Sequence, residues 1–244
     1  MSFRLTLATA ARVLAQIRHD PRTIALMLVV PSLLIGLMAW IFSDTPVFDQ
    51  VGPAMLALFP FIVMFLVTSI STLRERRSGT LERLLTLPMG KLDFILGYTL
   101  AFGLLAVLQA LIAVAFAVVV CGLDIEGSIW LLLSVALADA VLGTTLGLLA
   151  SAFAATEFQV VQFMPAIVFP QVLLGGIIVA REDMPIVLYA ISDWLPLSHA
   201  IDALNAVARD SEDAGYVGGK LLIIAAFAVA AIVLGAVTLK RRTP

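Results

Sequence analysis

The sequence predicts an all-α integral membrane protein. We expect six transmembrane helices, an N-terminal amphipathic helix, a charged cytoplasmic helix and a short outer hairpin of re-entrant or interfacial helices. Hydrophobic residues occupy 61% of the 244 positions, charged residues only 13%, and the mean hydropathy is +1.08. A soluble domain carries about 25% charged residues, so this chain is suited to lipid rather than water. In addition, six apolar stretches have roughly the length that crosses a bilayer.

The first 22 residues predict an interfacial helix. Apolar side chains recur at spacings of three and four, at Phe3, Leu7, Ala10, Leu14 and Ile17. Three arginines flank the other side and are expected to face the lipid headgroups: Arg4, Arg12 and Arg18. Two interpretations stay open, a simple lipid anchor and a collar that holds the first span in place.

Six spans follow within one membrane domain, 1–244. They are expected at about 23–42, 51–73, 94–121, 128–153, 160–178 and 218–239. Prolines predict kinks in the first, second and fifth spans, at Pro31, Pro53, Pro60, Pro165 and Pro170. Gly143 and Gly147 lie one helical turn apart in the fourth span, which predicts close packing against a neighbouring helix.

The charged segment 74–92 lies between the second and third spans and carries five cations. Its ions cannot be solvated by hydrocarbon, so it must lie at a bilayer face. Six spans place both termini on that same face, which then holds twelve of the fifteen lysines and arginines. The positive-inside bias makes this face cytoplasmic. Segment 179–215 then lies outside, and its apolar stretches are too short to span, which predicts the outer hairpin.

Several classes of chemistry are excluded by motif. The chain has no P-loop, since neither Gly-Lys pair is followed by Ser or Thr, and no HExxH, GxSxG or CxxC. Its single cysteine, Cys121, excludes an internal disulfide. We therefore expect no catalytic, cofactor-binding or metal-binding residues in this chain.

Asp139 is a polar residue whose position in the sequence requires an explanation. It lies in the middle of the fourth span, where an ionised carboxylate costs at least about 2.5 kcal/mol. It is interpreted either as a packing residue hydrogen-bonded to Gln109 or as the coupling residue of a self-sufficient ion-coupled carrier. Gln162 would line the same interior. For His199 the alternatives are a polar helix cap and an intramembrane enzyme site.

Two stretches resemble a known family. The sequence ERRSGTLERLLTLP at 75–88 resembles the cytoplasmic E-x-x-x-G-T-L-E-x-L-L-x-x-P motif of ABC-2 type transporter permeases. The sequences FPQVLLGG at 169–176, Met184-Pro185 and LPLSHA at 195–200 are similar to the outer F-P-x-x-x-L-x-G…P…L-P-L pattern of that family. Among its members, the chain is most similar to the drug-resistance exporters of the daunorubicin type.

The resemblance implies the permease subunit of an ATP-driven exporter. Two permeases, identical or sister chains, would pair in the plasma (inner) membrane, with both termini cytoplasmic. Two separate ATPase subunits, which would hold ATP and Mg²⁺, would dock beneath them. The short outer loops favour a small amphiphile, drug or lipid as substrate over a long polymer, and no nucleic acid is expected as a partner.

The resemblance also assigns residues to roles. Segment 74–92 would be the coupling helix that meets the ATPase, through Glu75, Arg76, Arg77, Gly79, Thr80, Glu82 and Arg83. The candidate translocation path comprises Asp139, Gln109, Gln162, Pro170, Gly175 and Gly176.

Overall fold

The computed structural model describes residues 2–43, 45–78, 90–209 and 214–238. These residues form nine α-helices with a π-helical turn, Phe116–Val120, after the fourth and a 3-10 turn, Arg181–Asp183, after the sixth. The helices are α1 Phe3–Arg18, α2 Pro21–Ile41, α3 Val47–Arg77, α4 Lys91–Ala115, α5 Ile129–Phe153, α6 Glu157–Leu174, α7 Ile186–Ser192, α8 Pro196–Arg209 and α9 Ala214–Thr238. Six of them (α2 to α6 and α9) are long and apolar enough to cross a membrane. The predicted fold class is confirmed.

The centre of the bundle is the contact between α3 and α5, the most extensive one between two described elements. A Cβ atom on Gly143 would lie 2.6 Å from the carbonyl oxygen of Phe61, and one on Gly147 would lie 2.5 Å from that of Phe65. A backbone oxygen cannot move aside, so only glycine allows the two helices to approach this closely. The close-packing face predicted from Gly143 and Gly147 is confirmed.

Helix α3 is longer than the second span predicted at 51–73. Its 31 residues extend about 46 Å at 1.5 Å per residue, well beyond the ~30 Å hydrocarbon core. Residues 74–77, predicted as the start of a separate charged helix, continue α3 instead. The helix can continue through residues 74–77 because none of them is glycine or proline. Residues 79–89 of the predicted coupling helix lie outside the described residues.

Helix α1 packs against α4 through a face rotated from the predicted one. Thr6, Thr9 and Val13 are buried, whereas Phe3 and Leu7 remain exposed at 75% and 42%. The reason lies on α4, where a Cβ atom on Gly97 would come within 2.6 Å of the Thr9 side chain. The small residue accepts the threonine face of α1 and leaves the larger apolar side chains for the surrounding lipid.

The outer hairpin consists of α7 and α8, and the two helices differ in burial. Most of α7 is exposed, while eleven of the fourteen residues of α8 are buried, packed among α3, α5 and α9. Helix α8 begins at Pro196, and proline is favourable in the first turn of a helix. The burial of α8 shows that the helix is enclosed by protein.

Helix α6 ends at Leu174, four residues before the predicted end of the fifth span. Gly176 has a φ of +87°, a left-handed conformation that only glycine adopts readily. The preceding Gly175 is buried against Ile201 of α8. The turn that these glycines make leads the chain out of the span and into the hairpin.

Candidate functional site

The C-terminal end of α3 carries three consecutive ionic residues that face different neighbouring helices. Because successive residues of a helix are rotated by about 100°, Arg74, Glu75 and Arg76 point in different directions. Each of them finds a partner on another helix. We call this group the α3 hub.

Glu75 binds the N-terminal helix. Its two carboxylate oxygens accept hydrogen bonds from both terminal nitrogens of Arg12, at 2.9 and 3.0 Å. Tyr98 of α4 completes the group, since its hydroxyl accepts a hydrogen bond from Arg12 at 2.9 Å and donates one to Glu75. Burial alone would lower the pKa of Arg12, but hydrogen bonding to Glu75 and the proximity of Tyr98 raise it overall. The two side chains have the geometry of a salt bridge.

Arg74 and Arg76 bind the helices on the other side of α3. Arg74 forms a two-pronged salt bridge with Glu157 in the first turn of α6, at 2.9 and 3.1 Å. Arg76 donates to the carbonyl oxygen of Ser151 in the last turn of α5. Carbonyl groups in the last turn of a helix have no partner within it, so a cation there is favourable. The α3 hub thus contacts α1, α4, α5 and α6.

The predicted ATPase contacts divide into three groups. Gly79, Thr80, Glu82 and Arg83 lie outside the described residues. Arg77 is exposed at the end of α3, whereas Glu75 and Arg76 turn towards their own chain. Arg12, predicted to face the headgroups, turns inward to Glu75. Contact of the predicted coupling residues with an ATPase stays a prediction.

Gln109 serves a different partner from the one predicted. Its side-chain Nε2 donates to the carbonyl oxygen of Met27 at 2.9 Å. Met27 precedes Pro31 by four residues, and the proline has no N–H to offer that carbonyl. The predicted Gln109–Asp139 hydrogen bond is therefore wrong, because the amide of Gln109 compensates the proline kink of α2.

Asp139 is completely buried, and neither of its carboxylate oxygens has a hydrogen-bond partner among the described residues. It lies one turn before Gly143 on α5, on the stripe that includes Gly147 and faces α3. An ionised carboxylate at such a position would be very costly. Among the described residues, Asp139 is therefore enclosed by protein.

The remaining predicted path residues lie on or just beyond α6, the least buried of the six long helices. Gln162 and Pro170 are exposed, whereas Gly175 is buried at the contact with α8. An exposed amide on a membrane helix favours a polar neighbour over lipid. Gln162 and Pro170 are thus exposed in the single chain, whereas Asp139 and Gln109 are buried.

The opposite end of the bundle from the α3 hub has a charged cluster that sequence analysis missed. Arg181 is 6% exposed, and its guanidinium donates to the Ser192 hydroxyl at 2.8 Å and to Asp193 and Asp202. Lys220 of α9 binds the same Asp202 at 2.7 Å. The cluster thus connects the 3-10 turn Arg181–Asp183 with α7, α8 and α9. The excess of carboxylates over arginines in 179–215 was the available signal, since a buried cation needs several of them.

His199 and Asp202 do not form a catalytic pair. Asp202 is bound to Arg181 and Lys220, while His199 contacts the carbonyl oxygen of Asp193 at 2.9 Å. Burial, and then the nearby cations, lowers the pKa of His199. In the described part of the chain, no group of three or more His, Cys, Asp or Glu side chains could hold a metal ion.

Helix α8 is capped at both ends by other elements. The side-chain oxygen of Gln171, at the end of α6, accepts the Leu197 N–H at 3.1 Å. At the other end, the N–H of Glu126 donates to the Ala208 carbonyl oxygen at 3.0 Å, and the N–H of Gly127 donates to that of Val207 at 3.0 Å. The groups that a helix end leaves unpaired are thus satisfied, which a buried helix requires.

The comparison with known proteins decides the family. The model of the family described as "ABC-2 type transporter" matches residues 4–208 of this chain. The chain belongs to the ABC-2 type transporter family. The match covers the α3 hub, both caps of α8 and every candidate path residue, and it confirms the resemblance drawn from the two sequence motifs.

Relatives of this ABC-2 chain are found in bacteria and in an amoeba. It is 28% identical over 157 residues to the probable multidrug ABC transporter permease YbhR of Escherichia coli, covering 64% of this chain and 43% of that protein. It is 26% identical over 159 residues to ABC transporter G family member 20 of Dictyostelium discoideum, covering 65% and 22%. The inner membrane transport permease YhhJ of Escherichia coli is 28% identical over 148 residues, covering 60% and 39%. The chain spans less than half the length of these curated relatives.

Proposed function

We propose that this chain is the transmembrane permease subunit of an ATP-driven exporter in the plasma membrane. Two permeases would pair, with both termini cytoplasmic, and two copies of a separate ATPase would dock beneath them. The proposed cargo is a small amphiphile, drug or lipid, in keeping with relatives whose names include "multidrug ABC transporter permease". Kinship with the daunorubicin branch stays a prediction.

The observation that carries this proposal is the α3 hub. Helix α3 runs from the outer side of the bundle beyond the membrane core, and its last turn contacts α1, α4, α5 and α6. The hub includes Glu75 and Arg76, the first two residues of the family motif at 75–88. A movement of that motif would therefore reach four other helices at once through short, charged contacts. A permease that is driven from outside the membrane needs such a connection.

The first experiment is the purification of the tagged chain from its native host in mild detergent, with identification of the proteins that come with it. The proposal expects a stoichiometric soluble partner that contains a P-loop. Variants Glu82→Lys and Gly79→Val are expected to insert into the membrane normally but to lose ATP-dependent export. Normal export by both variants would contradict the assigned role of the coupling segment.

A second candidate function, an ion-coupled carrier, is favoured by one observation. Asp139 is a buried carboxyl group with no partner among the described residues, as in a residue that exchanges a proton or cation. Against it, the chain shows no internal repeat such as carriers commonly contain. Purified chain that transports in liposomes under an ion gradient, without ATP, would replace the exporter proposal with the carrier.

A further inference from the structure

The Arg12–Glu75 contact joins two helices that otherwise barely touch. Helix α1 packs mainly on α4, with a smaller contact to α2, and its backbone scarcely approaches α3. The connection from α1 to α3 is therefore made by side chains around Glu75: the two hydrogen bonds from Arg12, a hydrogen bond to Gln16 of α1, and Tyr98, which touches both Arg12 and Glu75. A movement of the end of α3 reaches α1 by this route.

The geometry of the contact is that of a strong pair. Arg12 presents its flat guanidinium to Glu75 in a two-pronged arrangement, which fixes direction as well as distance. The side chains are 29% and 14% exposed, so water screens the pair much less than a surface salt bridge. Removing either charge would leave the other charge half-buried without its ionic partner. The salt bridge is therefore lost when either residue is replaced.

The position of Glu75 in the chain gives the contact its meaning. It is the first residue of the motif at 75–88, and its side chain turns to α1 instead of extending from the end of α3. The carboxylate is thus already occupied within its own chain. An ATPase partner would have to displace Arg12 to bind it.

We infer that Glu75 acts on helix α1 within its own chain, and that Arg12 is a positioning residue through which the coupling segment moves α1. This inference rests on the proposed function, because it needs an ATPase that moves the segment. Helix α1 is then a moving part of the transport cycle. The alternative is that α1 only anchors the chain to lipid, through its exposed cations such as Arg4 and Arg18.

The pair itself is tested in the permease alone, without nucleotide. Arg12→Glu and Glu75→Arg are each expected to lower the midpoint of thermal unfolding, because each brings two like charges together. The double variant with both substitutions is expected to recover most of the loss, since Tyr98 can bind either arrangement. Failure of the double variant to recover would overturn the inference whether or not an ATPase partner exists. Arg18→Glu, on the exposed face of α1, is the matched control and should leave the midpoint unchanged.

The movement is tested in the complex with the co-purified ATPase. Ala8 is exposed on α1, and Ala8→Cys in a Cys121→Ala background allows the rate of maleimide labelling to be followed with and without ATP and vanadate. In the protein that keeps Arg12 and Glu75, we expect the labelling rate at position 8 to change when ATP and vanadate are added. Arg12→Gln, the milder variant, should abolish the change while ATP hydrolysis continues. In Arg12→Gln, transport per ATP should decrease roughly 5- to 150-fold relative to wild type, the range typical of coupling between sites.

The outcomes separate the two proposals. If the rate does not respond to nucleotide even with Arg12 present, α1 does not move and the inference is wrong. Absence of any co-purifying ATPase would overturn the proposed function and this inference together. If nucleotide changes the rate equally in Arg12→Gln, only the inference fails. Equal loss of coupling in Arg18→Glu would also overturn it, by showing that the charge of α1 acts through lipid.

Discussion

Pro31 and Gln109 show how a single residue solves a problem posed by another span. A proline within a helix leaves the carbonyl group four residues earlier without its usual donor. In water that group would be hydrated, but inside a membrane protein an unpaired carbonyl costs free energy. Gln109 on α4 supplies the missing donor to Met27. The kink of α2 and the amide of α4 are therefore one unit.

Gln109→Leu is expected to reduce the free energy of unfolding by about 1–3 kcal/mol, because it leaves the Met27 carbonyl buried without a donor. Adding Pro31→Ala should recover much of the loss, since residue 31 then regains an N–H for that carbonyl. The measurement is unfolding of the single and double variants in one detergent, analysed as a double-mutant cycle. Pro170→Ala, in another span, serves as the control and should not rescue Gln109→Leu. Equal rescue of Gln109→Leu by Pro31→Ala and by Pro170→Ala would contradict the pairing of Gln109 with the Met27 carbonyl.

At the scale of elements, helices are held together by two different devices. In the membrane core, small residues of α5 allow it to approach α3 so closely that the backbones of the two helices are in direct contact. At the two ends of the bundle, ionic groups connect helices whose surfaces fit less closely, as in the α3 hub and the Arg181 cluster. Re-entrant α8 needs both, because its ends lie inside the protein and must be capped there.

Gly143→Leu is expected to destabilise the protein by about 1–3 kcal/mol, since its side chain would collide with the Phe61 backbone and force α3 and α5 apart. Thermal unfolding in detergent measures the effect. Gly103→Ala on α4 is the matched control, because a Cβ atom there meets nothing within 4 Å. That variant should be as stable as the wild type or slightly more stable. Similar losses for both glycines would contradict the assignment of the Gly143 effect to close packing of α5 against α3.

At the scale of the whole molecule, α3 connects the two ends of the bundle. Its N-terminal end lies near α8, where Arg209 donates to the carbonyl oxygen of Gln50, and its C-terminal end forms the hub. Two long helices, α2 and α6, show little buried surface in the single chain. Their exposed faces are where a second permease and a substrate would meet the chain in the proposed pair. Asp139 lies elsewhere, buried on the α3-facing stripe.

Asp139→Asn distinguishes the two candidate functions. Asparagine keeps the size of the side chain and removes its ability to ionise, so a packing role tolerates the change whereas an ion-coupled carrier does not. The exporter proposal expects ATP-dependent transport within about twofold of wild type. The measurement is transport by the variant in liposomes with the co-purified ATPase and ATP, set against transport under a proton gradient alone. Loss of transport with normal insertion would favour the carrier.

The sequence by itself determined the fold class, the family and the close-packing glycines. These depend on local properties: the hydropathy of a stretch, the order of residues in a motif, and the spacing of Gly143 and Gly147. Only the tertiary structure decided the partners of polar residues. The pairs Arg12–Glu75, Gln109–Met27 and Arg181–Asp202 join positions 63, 82 and 21 residues apart. Hydropathy periodicity identifies which face of a helix is apolar, but not which neighbour it meets. For that reason α1 was predicted to turn Arg12 to the lipid, whereas the space at Gly97 turns it towards Glu75.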